Sequence, residues 1–71
     1  MKIYLEITEL LSEADSLILQ PLSMRVEVID RDDALAKLLI LEPFFAGRIY
    51  KKQLHFCGHA EGLPCTTEEV L

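Results

Sequence analysis

Glycine is scarce in this chain: three residues, all beyond position 46. A glycine-rich loop that cradles phosphates therefore has nowhere to form. No apolar run approaches the ~20 residues that a membrane-spanning helix needs, so no membrane association is expected. Glu6 and Glu9 interrupt the first residues, which do not supply the roughly 7–15 continuous apolar positions of a signal peptide. On that ground the chain is expected to be cytoplasmic, in a compartment that keeps thiols reduced. A structural disulfide between Cys57 and Cys65 is then the less expected use of the pair. Positive charge is also short. Seven Lys and Arg stand against twelve Asp and Glu, a net charge of −5, with a pI near 4.8. That balance argues against a general nucleic-acid binder, which works by neutralising phosphates. Arg48, Lys51 and Lys52 are the local exception. They read either as a solvated strand face or as a small site for an anionic ligand.

Hydrophobic residues are abundant, at 51% of 71 residues. A single domain over residues 1–71 is expected, near the lower size limit for a self-supporting core. A chain this short buries only about 60% of its surface, so part of its apolar content must lie outside the monomer core. A two-fold homodimer is the usual solution.

Residues 2–8 alternate, with Ile3, Leu5 and Ile7 on one side and Lys2, Tyr4, Glu6 and Thr8 on the other, which predicts a half-buried strand. Leu10, Leu11, Ala14, Leu17 and Ile18 then recur at helical spacing and predict a helix over 9–17. Residues 16–22 read as a strand in the rival interpretation, and Pro21 ends either element. Residues 24–30 form a second alternating strand. Asp30 or Asp32 caps a leucine-rich helix through 34–41 that is apolar around much of its circumference. Pro43 stops it, Phe44 and Phe45 follow, and Gly47 can adopt a left-handed conformation.

Residues 48–57 return to strand character, with Tyr50, Lys52, Leu54 and Phe56 on one face and Lys51, Gln53, His55 and Cys57 on the other. A turn at 60–62 leads into 64–71, either a returning strand or a short helix capped by Thr66 or Thr67. The predicted fold class is α+β. A small three- or four-stranded mixed sheet carries one or two helices on one face, in the order β-(α)-β-α-β-β.

Every histidine and cysteine falls between His55 and Cys65. If a three-residue loop closes the last hairpin, Cys57 lies opposite Cys65; a two-residue loop turns the thiols to opposite faces. Under the first register His55, Cys57, His59 and Cys65 could supply a mixed sulfur and nitrogen site, and zinc is the cofactor it would take. The spacing H-x-C-x-H-x5-C matches no common zinc pattern, and Lys51 and Gln53 on the same face suggest an ordinary wet surface. No arrangement for nucleophilic or acid–base catalysis stands out. The expected role is therefore non-catalytic self-association, with a protein partner besides. Leu35, Leu38, Leu41, Phe44 and Phe45 are the candidate contact residues.

Overall fold

The computed structural model describes residues 2–58 and 65–70. Four strands form one sheet: β1 (Lys2–Glu9), β2 (Ser23–Val28), β3 (Tyr50–Cys57) and β4 (Thr66–Glu69), in the spatial order β2-β1-β3-β4. Two helices accompany them, α1 (Glu13–Ser16) and α2 (Arg31–Leu41), and a 3₁₀ turn over Glu42–Phe45 extends α2. The α+β class and the β-(α)-β-α-β-β order match the sequence-based expectation. Every neighbouring pair is antiparallel, where a mixed sheet was expected. The reason is the position of β1. Strands β2 and β3 run in the same direction, as a strand–helix–strand crossover requires, but β1 lies between them and pairs with both.

The register puts the alternating residues on two distinct faces. Ile3, Leu5 and Ile7 of β1 align with Val28, Val26 and Met24 of β2 and with Phe56, Leu54 and Lys52 of β3. Directly opposed residues share a face. The core therefore lies on that side, where Leu5, Ile7, Val28 and Leu54 are buried with Ala34 and Leu38 of α2 and Phe45 of the 3₁₀ turn. Phe45 meets the Tyr50 ring at a centroid separation of 5.3 Å and closes one end of the core. Among the described residues, no helix lies on the other face of the sheet.

Helix α2 begins at Asp30, whose carboxylate accepts from the Asp33 amide at 2.8 Å. Asp33 returns the favour one residue earlier, accepting from the Ile29 amide at 2.9 Å. This reciprocal capping satisfies amides that a helix start leaves without partners. Lys37 binds the Asp33 carboxylate and also donates to the Glu27 carbonyl, tying the helix to edge strand β2. Among the described residues, Gly47 is the one glycine at positive φ (79°), where the chain turns from the 3₁₀ segment toward β3.

Residues 9–17 differ from their prediction. Only the single turn Glu13–Ser16 is helical, capped by Ser12, and residues 16–22 do not form a strand. Most of the apolar residues at helical spacing find no surface to cover: Leu10, Ala14, Leu17 and Ile18 are exposed, and Leu11 is half-buried. Amphipathic spacing stabilises a helix only where its apolar face meets a core. The C-terminal alternative is resolved as a strand, β4, and the turn predicted at 60–62 lies outside the described residues.

Candidate functional site

The helix-free face of the sheet brings the polar chemistry together. Registers from β1 to β3 and from β3 to β4 place Glu6, His55 and Thr67 in one neighbourhood. His55 Nε2 lies 3.0 Å from Glu6 Oε1, and its Nδ1 lies 3.1 Å from Thr67 Oγ1. Beside this trio, the Arg25 guanidinium sits 4.4 Å above the Tyr4 ring. A hydroxyl, an imidazole and a carboxylate in line have the order of a hydrolytic triad. Here the hydroxyl belongs to Thr67, an exposed residue of edge strand β4 on the sheet's open face.

The predicted cluster is partly assembled. Pairing of Phe56 with Thr66 continues by one rung to Cys57 and Cys65, whose Cα atoms are 4.4 Å apart. This is the register of the three-residue loop. Cys57 and Cys65 form a disulfide, which corrects the expectation of two free thiols. That expectation rested on compartment alone, whereas the register sets two sulfurs side by side on one face. His55 shares the face, and His59 lies outside the described residues. Among the described residues, no three His, Cys, Asp or Glu side chains already converge as a metal site.

The basic trio is dispersed. Lys51 projects from the open face, and Lys52, its neighbour on β3, projects from the helix side, 3.9 Å from Glu42. Arg48 is committed to Glu9, with Nη1 at 2.9 Å from both carboxylate oxygens. Alternation along a strand separates adjacent cations onto opposite faces, so Arg48, Lys51 and Lys52 do not make one anion site.

The predicted contact residues also divide. Leu38 and Phe45 are core residues and Leu41 is half-buried. Leu35, at 48% exposure, and Phe44, at 61%, do face outward, and they are joined there by Leu39 at 75% and Ile40 at 67%. Beside α2, Ala34, Leu35, Leu54, Glu68 and Val70 line an open groove of about 240 Å³. Arg31 stands at this groove, bonded to Glu68 at 2.6 Å and 5.1 Å above the Phe56 ring.

Two further groups escaped the sequence reading. Glu9 accepts from the Leu22 amide as well as from Arg48, and these bonds hold its carboxyl below the usual range. Tyr50 donates to Glu42 at 2.5 Å, and that carboxylate pushes the phenol above its ordinary value. Polar residues at core-face strand positions were the available signal, Glu9 in phase with Ile7 and Tyr50 in phase with Leu54, but the partners are set by register and loop path. The chain matches no protein-family model, and no curated protein or solved structure matches it.

Proposed function

We propose that this chain is a self-association module that pairs with a second copy through the outward face of α2. The observation that carries the reading is the set of large apolar side chains left in solvent there, Leu35, Leu39 and Ile40 of α2 and Phe44 of the 3₁₀ turn. Surface area supports a second copy as the occupant. The chain exposes 5226 Å², against about 4,500 Å² for a compact monomer of 8.1 kDa. The excess, roughly 700 Å², is close to the ~800 Å² that each partner contributes to a standard interface.

A charge placed among these side chains tests this. Sedimentation equilibrium should find the wild-type chain dimeric and Leu39→Glu monomeric, with unchanged far-ultraviolet circular dichroism. A wild-type monomer at every concentration would overturn the reading and leave these side chains to a different protein partner.

A further inference from the structure

We propose that reduction of Cys57–Cys65 turns this corner of the open sheet face into a site for a zinc-like dication. Both thiolates and His55 would hold the ion, and Glu6 would orient the imidazole. The inference is independent of self-association through α2, which uses the opposite side of the molecule.

Three observations carry it. First, the amide of Val70 donates to the Lys52 carbonyl at 2.9 Å, so hydrogen-bonded rungs fall at 52, 54 and 56. Cys57 and Cys65 then occupy a non-hydrogen-bonded rung, where side chains stand closest, consistent with their Cα separation of 4.4 Å. Second, His55 projects from the same face two residues along β3, a backbone distance of ~7 Å that alternate strand residues can bridge to one ion. Third, the imidazole already has the outer contact typical of a metal-bound histidine, a carboxylate on its far nitrogen: Glu6 Oε1 at 3.0 Å from Nε2. An ionised Glu6 favours the tautomer with its proton on Nε2. Nδ1 is then the acceptor, facing Thr67 Oγ1 at 3.1 Å, and the dication would replace that hydroxyl.

Two sulfurs and one imidazole nitrogen suit zinc, with water completing a tetrahedral shell. The switch balances as thiol–disulfide exchange. A dithiol reductant becomes a disulfide, and its two hydrogens end on the Cys57 and Cys65 sulfurs. The incoming dication then displaces both thiol protons to solvent. The oxidised protein has no thiolate to offer.

Cobalt(II), added anaerobically after phosphine reduction, is the probe. Reduced wild type should bind about one cobalt per chain with a thiolate-to-metal charge-transfer band, and zinc should bleach it stoichiometrically. Oxidised protein and Cys57→Ser/Cys65→Ser should show no such band. The double variant also lacks the disulfide, so it controls for any loosening of β4. Glu6→Gln should weaken binding roughly 10–100-fold while keeping the band. Zinc should also restore part of the thermal stability lost on reduction. A reduced protein without the band, or His55→Ala with wild-type spectrum and affinity, would overturn the assignment.

Discussion

The Glu9 carboxylate ties three segments together. Its own strand β1 ends there, the loop after α1 returns to it through the Leu22 amide, and the approach to β3 is fastened by Arg48. Bonds to the ionised form hold the carboxyl below its ordinary value near 4.5, with the Leu22 amide the largest cause and Arg48 next. The linkage sign follows. Because the folded form binds its proton more weakly than the unfolded chain, the stabilisation is complete above that value and is lost as pH falls through the lowered one. Asp33, held below 3.8 by the Ile29 amide and by Lys37, acts in the same direction. Thermal melts of wild type and Glu9→Gln should therefore differ most near about pH 7 and converge in acid. A gap of constant size across that range would remove the carboxylate's charge from the account. Tyr50 has the opposite sense: its raised phenol contributes below its ordinary value of 10 and loses that contribution as pH climbs through the raised one.

Helix α2 presents two faces to two different tests. Leu38 is 4% exposed and Leu39 is 75% exposed, so adjacent leucines sit in different environments. Leu38→Ala should cost about 2–5 kcal/mol in denaturant unfolding, the range for truncating a buried leucine. Leu39→Ala, measured under dilute conditions where association is absent, should stay within about 0.5 kcal/mol. Equal effects at the two sites would mean that the helix is seated in another rotation. Strand β4 is the other element with a distinct prediction. Its four residues, Thr-Thr-Glu-Glu, are all exposed, and it leans on the disulfide, on Arg31 to Glu68 and on the Val70 amide. Closing a loop between residues separated by 8 positions is worth about 2.5 kcal/mol in the chain-entropy picture. Reduction without metal should therefore lower the melting temperature by roughly 10–20 °C. Hydrogen exchange at 66–70 should accelerate before β1 and β2 respond; uniform acceleration would show that β4 does not open as a unit.

These elements also show what the sequence could convey. Period-two alternation located β1, β2 and β3 and assigned each residue to its face, because one side of each strand is buried and the other is not. The same logic failed at 10–22. Helical spacing describes a helix that could be amphipathic, and says nothing about whether a core is waiting for it. The insertion of β1 between β2 and β3 is likewise a tertiary outcome that no local pattern encodes. The contact between Glu6 and His55, 49 residues apart in sequence, needs that insertion.

At the scale of the whole molecule, one sheet with one main helix makes a slab of 40 × 28 × 16 Å with a radius of gyration of 13.6 Å. A compact domain of this length has a radius of about 11 Å. The excess has a structural cause: α2 packs mainly on β2 and β1, and an open groove lies between it and the β3–β4 side of the core face. A second copy seated on the outward face of α2 would thicken the slab and draw the exposed leucines out of water. Association of the folded state but not the unfolded one stabilises by mass action, so the melting temperature becomes concentration-dependent. Wild-type protein should melt at progressively higher temperature over a hundredfold rise in concentration, while Leu39→Glu should melt at one temperature throughout. The disulfide and the cap at Asp30 are unchanged by that substitution and cannot mimic the effect, since both act within one chain. A wild-type melting temperature that ignores concentration would mean that the slab is stable alone, with its apolar helix face held open for something other than itself.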